Sequence, residues 1–150
     1  MFFKKLIPFA LECSYAYCSG KKKVKELGDI MSRILSEDEE VLIEEFLEAY
    51  DVRSYNFHSK QNDIKFMKSI DFAGIYILHN LDKNIYFVGK SGKVFRKINR
   101  HFRGYENKEV YKDWKNRNKF TVQIISFESS EYNDINVLEK EIRKQYLNVY

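Results

Sequence analysis

Apolar positions recur along this chain with two different periods, and the change from one to the other divides it near residue 70. Val24, Leu27, Ile30, Met31, Ile34 and Leu35 fall on one face of a helix. Ser36, with Glu39 three residues on, has the form of a capping box and predicts the start of a second helix with apolar positions Val41, Leu42, Phe46, Leu47 and Tyr50. Arg53 to Asn62 is polar and aperiodic, a connection, and Ile64 to Ile70 reads as a short helix. From Phe72 the pattern shifts to β-formers: Phe72 to His79 and Ile85 to Val88 predict two strands, joined by turn chemistry at Asn80 to Asn84 into an antiparallel hairpin. Val94, Phe95, Ile98 and Phe102 then mark the apolar face of a helix over Gly92 to Arg103. Val110 to Trp114 predicts a shorter helix, Lys119 to Phe127 a third strand, and Ile135 to Tyr146 a closing helix with Ile135, Leu138 and Ile142 turned inward. The fold class expected is α+β: a small three-stranded antiparallel sheet flanked by helices over residues 71–150, preceded by a helical N-terminal extension over residues 1–70.

Composition narrows this little. A chain of 150 residues with 44% hydrophobic content can bury a core, and no run approaches the ~18 apolar residues of a spanning helix. Met1 to Leu11 carries two lysines and a short apolar run, faintly like a secretory signal. Glu12 ends that run without a clean cleavage site, so the segment is expected to be a buried helix or strand. Cys13 and Cys18 lack the partners of a zinc site and read as two reduced thiols of a cytoplasmic protein.

Charge changes the picture more. Residues 1–70 hold 11 basic and 12 acidic side chains, a net of −1, whereas residues 71–150 hold 15 and 10, a net of +5. Gly89 to Lys119 alone holds 11 basic residues against Glu106, Glu109 and Asp113. Such local concentration is the footprint of a protein that meets phosphates, although a solvated helical face has the same composition. The balance of residues 1–70 argues against a strong DNA-reading role for them, leaving bracing of the second half or self-association as a homodimer.

The order of chemical features in the second half is Gly74, Ile75 and Tyr76; then Phe87, Val88, Gly89, Lys90 and Ser91; then a basic helix; then Leu138 and Glu139 on the last helix. This succession resembles the GIY-YIG endonuclease family across about 80 residues. Val110 to Lys115 followed by Lys119 to Ile125 is similar to the mobile-element branch of that family. The resemblance implies a nuclease that hydrolyses DNA, double-stranded in the simplest case, with one Mg²⁺ or Mn²⁺.

By the same resemblance, Tyr76 is the phenol that activates water, and Glu139 is the single protein ligand of the metal. One carboxylate with water and phosphate oxygens completing the shell suits such an ion. Glu141 competes for that position, but it lies roughly 200° around the helix from Glu139, and Leu138 and Ile142 fix the family's frame on Glu139. An ungapped frame from Gly89 sets His101 at the family's histidine and Lys97 at its catalytic arginine, with Arg96 one residue earlier. His101 would orient the water or take the proton of Tyr76; a helix-surface histidine is the bland alternative.

Two departures qualify the match. Lys97 is a point charge and lacks the bidentate grip of arginine. Phe87 stands where the second motif has tyrosine, keeping the ring and losing the hydroxyl, while Tyr86 should point to the opposite face. Ser91 either contacts phosphate or caps the helix. Lys90, Lys93, Arg100, Arg103, Lys112, Lys115 and Arg117 are read as positioning contacts to the DNA backbone, giving salt-sensitive affinity without base readout. Tyr105, Tyr111 and Trp114 can stack on bases, with core packing the simpler use of Trp114. Two other functional classes stand beside the nuclease: a nucleic-acid-binding relative with impaired cleavage, and an interaction module built on the acidic helix Glu37 to Glu48.

Overall fold

The computed structural model describes residues 21–36, 39–51 and 60–150. The expectations for Met1 to Leu11, for Cys13 and Cys18, and for most of the polar connection lie outside the described residues.

In chain order the elements are α1 (Lys21–Ile34), β1 (Val41–Leu42), α2 (Ile43–Ala49), α3 (Lys60–Ile70), β2 (Gly74–Asn80), β3 (Ile85–Ser91), α4 (Val94–His101), α5 (Lys108–Lys115), β4 (Phe120–Ser126) and α6 (Ile135–Arg143). The sheet has four strands, not three, in the order β1-β4-β2-β3, with every neighbouring pair antiparallel. The additional strand is Val41 and Leu42, which pair with Val122 and Thr121. Helical periodicity reads these two residues as the start of a helix, but the open edge of β4 supplies hydrogen-bond partners that a local pattern cannot show. The capping box fails with them. Helix α2 begins at Ile43, and Glu39 is ion-paired to Arg33 Nε at 3.0 Å instead.

Period-two alternation splits the sheet into two faces. Tyr76 and Leu78 of β2, with Phe120, Val122 and Ile124 of β4, join one core with residues of α1 to α5. Ile75, Ile77 and Val88 pack on the other face against Leu138 and Ile142 of α6. The larger core takes Leu27, Met31, Phe46, Phe66 and Ile70 from residues before 71, so the N-terminal segment packs onto the same sheet face as α4 and α5. The outer edge of β3 is covered by the end of the chain: Tyr86 N–H donates to Asn148 O at 2.8 Å and Tyr150 N–H to Tyr86 O at 2.9 Å.

A polar hub closes the far end of the hairpin. The buried Asn80 amide donates to Asn118 Oδ1 at 2.8 Å and to Tyr150 Oη at 2.9 Å, and the Tyr150 hydroxyl donates to Asp113 Oδ2 at 2.5 Å. Lys83 Nζ pairs with Asp113 Oδ1 at 2.7 Å. With both oxygens occupied, the Asp113 carboxyl is held below the usual carboxylate range despite its burial. Among the described residues, no helix is long and apolar enough to cross a membrane.

Candidate active site

Tyr76 lies in the middle of β2, with Gly89 opposite it on β3. The phenol lies against Gly89, so that a β-carbon there would collide with its Cζ and Oη. Gly89 is therefore a space requirement of Tyr76. Gly74 has a comparable constraint from the Ile125 carbonyl of β4.

Helix α4 delivers His101 to the same place. Val94, Phe95 and Ile98 bury its apolar face, and His101 continues that face at helical spacing. Tyr76 Oη and His101 Nε2 are hydrogen-bonded at 2.8 Å, and each residue is only 1% exposed. Phe87 stacks on Tyr76 with ring centroids 6.0 Å apart and stands edge-on to His101 at 4.7 Å. Phenylalanine thus keeps the ring packing at that motif position. Tyr86 faces the other side, stacked on His79 at 4.1 Å.

Burial sets the proton affinities of the pair. It pushes the Tyr76 phenol well above its ordinary range, with the carboxylates of Glu106 and then Glu139 adding to the effect. It lowers His101 to about 4, a shift opposed by Glu106 and assisted by Lys97. The imidazole is accordingly neutral near pH 7 and the proton rests on the phenol. His101 Nδ1 is buried without a hydrogen-bond partner among the described residues. Either tautomer leaves one hydrogen-bonding position of the pair unfilled, an arrangement more costly than an apolar one.

Lys97 lies one helical turn before His101, and its Nζ is bound to Glu106 Oε1 at 2.7 Å. The other Glu106 oxygen accepts from Arg100 Nε at 2.6 Å. Those two cations hold the Glu106 carboxyl below its usual range against a burial effect of opposite sign. The motif alignment gives Glu106 no role. The available signal was its isolation, since it is one of three acids in a stretch of 11 bases. Ser91, Lys93, Arg96, Lys97, Arg100 and Glu106 border a concavity of about 510 Å³ with Gly92 at its rim.

Arg96 is exposed and also borders a second cleft, on the side of α4 facing α3. Ser91 Oγ accepts from Lys93 N–H at 3.0 Å and does not cap α4. That role falls to Asp71, whose oxygens accept from Phe95 N–H at 2.9 Å and Arg96 N–H at 3.0 Å. Arg103 also lines the second cleft. Lys90 turns toward α6 and donates to Asn136 Oδ1. Lys112, Lys115 and Arg117 are exposed around α5, away from the concavity, with Lys115 Nζ 5.7 Å from the centre of the Tyr111 ring. Trp114 packs edge-on against Phe102 at 5.2 Å, the core use expected of it. Tyr105 is 66% exposed beneath the Arg100 guanidinium.

Glu139 and Glu141 separate cleanly. Glu141 is exposed and tied to Lys144 at 3.0 Å. Glu139 is turned inward, 17% exposed, with Arg143 Nη2 at 3.7 Å, and its charge is felt at Tyr76. The same Arg143 nitrogen donates to the Val88 carbonyl at 2.8 Å, so its contact with Glu139 is an ion pair without a hydrogen bond, made through one carboxylate oxygen. Among the described residues, no cluster of three or more His, Cys, Asp or Glu side chains converges as metal ligands. One carboxylate fits a hydrated hard cation and does not fit a zinc-type site.

Residues 72–149, more than half of the chain, match the family model of the GIY-YIG catalytic domain. No curated protein and no solved structure matches the chain.

Proposed function

The chain belongs to the GIY-YIG catalytic-domain family, a nuclease family, and from that premise we propose that it is an endonuclease hydrolysing the DNA backbone with a single divalent cation at Glu139. Residues 71–150 would form the catalytic unit, with residues 1–70 as an extension bracing it. The observation that carries this reading is the buried Tyr76–His101 hydrogen bond within the fields of Glu139 and Lys97.

Hydrolysis forms one bond from water oxygen to phosphorus, breaks the bond from phosphorus to the leaving sugar oxygen, moves one proton off the attacking water, and gives one proton from solvent to the leaving oxygen. Tyr76 takes the water's proton while its own passes to His101 Nε2, which is neutral and already in hydrogen-bond contact. The phenol's raised affinity and the imidazole's lowered one keep the proton on oxygen in the resting site, so its transfer to His101 is concerted with uptake of the water's proton by the phenol. Lys97 stabilises the negative charge that builds on the phosphate once a phosphate oxygen replaces the Glu106 carboxylate beside its Nζ. Glu139 would hold Mg²⁺ or Mn²⁺, which would supply Lewis-acid stabilisation of the developing negative charge. Arg96, Lys93 and Arg100 border the concavity and hold the backbone on either side of the scissile phosphate.

A second reading, a DNA-binding relative with impaired cleavage, is favoured by the sealed phenol and by Lys97 being committed to Glu106. Supercoiled plasmid separates the two. The nuclease nicks it with Mg²⁺ or Mn²⁺, stops with EDTA, and loses nicking but not duplex retention on Glu139→Gln. Retention without strand breaks under either metal supports the second reading and removes the first.

The same geometry predicts the effect of Glu106→Gln. Removing this competing anion frees Lys97 and Arg100 for phosphate, and duplex affinity is expected to rise about 3- to 10-fold at about 0.1 M salt. An unchanged affinity in filter binding or anisotropy rules out phosphate exchange at Lys97.

A further inference from the structure

The geometry points to a second DNA-backbone site in the cleft between α3 and α4, with Lys68 of the N-terminal segment as a phosphate contact outside the concavity at Lys97 and Glu106. This rests on the nuclease reading and extends it to a segment whose overall charge argues against DNA binding.

The cleft has a volume of about 590 Å³, and four cations line it: Lys68 from α3, with Lys93, Arg96 and Arg103 from the α4 region. Lys68, Lys93, Arg96 and Arg103 are all exposed. Among the described residues, none of these four side chains is ion-paired, in contrast to Lys97 and Arg100, which share Glu106. Four cations against the single lining carboxylate of Asp71 leave an excess of positive charge, and an arriving polyanion relieves the repulsion among them.

Asp71 is the acidic residue in the lining, and Lys93 feels its charge. Its two oxygens accept the backbone N–H groups of Phe72, Phe95 and Arg96. The end of α4 is thus already capped, and the proposed contacts are side-chain cations rather than helix amides. That cap also fixes the geometry. Asp71 directly follows α3 and grips the first turn of α4, the Phe72 carbonyl accepts from Val94 N–H at 3.0 Å, and the Phe72 and Phe95 rings meet edge-on at 5.1 Å. Phe66 and Ile70 bury the opposite side of α3 in the main core. Both walls of the cleft are therefore anchored in one packed unit, and Lys68 and Arg96 line the same cleft.

Arg96 joins this cleft to the concavity beside Lys97 and Glu106, since it borders both. A strand leaving the scissile phosphate past Arg96 meets Lys68 and Arg103 next. A net charge of −1 over residues 1–70 is thus compatible with a phosphate contact, because its acids are concentrated between Glu37 and Asp51 and Lys68 lies beyond them.

The test is a salt titration of duplex affinity for the full chain in EDTA, where no cleavage occurs. Lys68→Ala is expected to weaken binding about 3- to 10-fold at about 0.1 M salt and to reduce the slope of log affinity against log salt by about 1, one phosphate contact. Lys68→Arg is expected to keep the wild-type slope. Lys25→Ala, a charge change on α1 outside the cleft, is expected to leave it unchanged. A Lys68→Ala slope equal to wild type, or an equal fall with Lys25→Ala, overturns the inference while leaving the nuclease reading intact. Failure of the wild-type chain to bind duplex at all defeats that reading itself. Inorganic phosphate titrated into the DNA-free chain is expected to give no saturable site; a saturable site that duplex cannot displace identifies a free-phosphate pocket and overturns the proposal.

Discussion

Replacing Tyr76 by phenylalanine is expected to slow metal-dependent nicking by about 10²- to 10⁴-fold, the range typical of losing a general base, while duplex affinity stays close to wild type. The hydroxyl is buried and bonded to His101, so it is not a surface contact whose loss would weaken docking. The ring remains, and with it the stacking on Phe87 and the close approach to Gly89.

The substitution has a structural side effect of known sign. Losing the hydroxyl leaves His101 Nε2 unpaired next to an Nδ1 that already lacks a partner, at a cost of about 1–3 kcal/mol in stability. Rates must therefore be compared under conditions where circular dichroism shows both proteins folded. Single-turnover nicking separates the two roles: a stability effect vanishes below the unfolding transition, whereas loss of the base persists there. If the folded variant nicks at the wild-type rate, the phenol is a packing residue and the proton must leave by another route. Combining the change with Glu139→Gln sharpens the result, because two residues acting on one phosphate show far less than additive losses.

How much of this was visible beforehand depended on distance along the chain. The hairpin β2–β3 was legible because its signals are local: alternating β-formers around a turn built on Asn80 and Asn84. Glu139 was legible because Leu138 and Ile142 orient it, and the structure turns Glu139 inward and Glu141 to the surface. The features that escaped all depend on contacts between remote segments. Val41 becomes a strand residue only by pairing with Val122, some 80 residues on. The cap of α4 comes from Asp71, 24 residues before the amide of Phe95 that it accepts. Glu106 reads as an ordinary loop acid until α4 folds back and sets Lys97 and Arg100 around it. The hub joining Asn80, Asp113 and Tyr150 spans β2, α5 and the last residue. Periodicity predicts which side of an element is buried, but not which remote polar group will meet it there.

Acid is expected to destabilise the protein by on the order of 3 kcal/mol between pH 6.5 and pH 4 through His101 alone. The imidazole has an ordinary value of 6.5 and is lowered to about 4 by burial. In that window the unfolded chain binds a proton that the folded chain refuses, so stability is fully present above pH 6.5 and falls as the pH drops toward 4. Glu106 and Asp113 act lower, because their carboxyls are held below the ordinary range and lose their contribution only under stronger acid. Asp71 works in the opposite sense, since burial raises its carboxyl and the folded state gains a proton there as the pH falls. Urea unfolding of the wild type and of His101→Gln across this range isolates the histidine, because glutamine can still bond the phenol but cannot titrate. The difference between their stabilities should change by about 1.4 kcal/mol per pH unit in the middle of the window. Parallel curves would mean that the imidazole is not held neutral by its surroundings, and His101 could not then serve as the waiting acceptor for the phenol's proton. The same shift makes a kinetic demand: with His101 neutral down to about pH 4, any loss of nicking in the folded protein between pH 6.5 and 5 has to come from a different group.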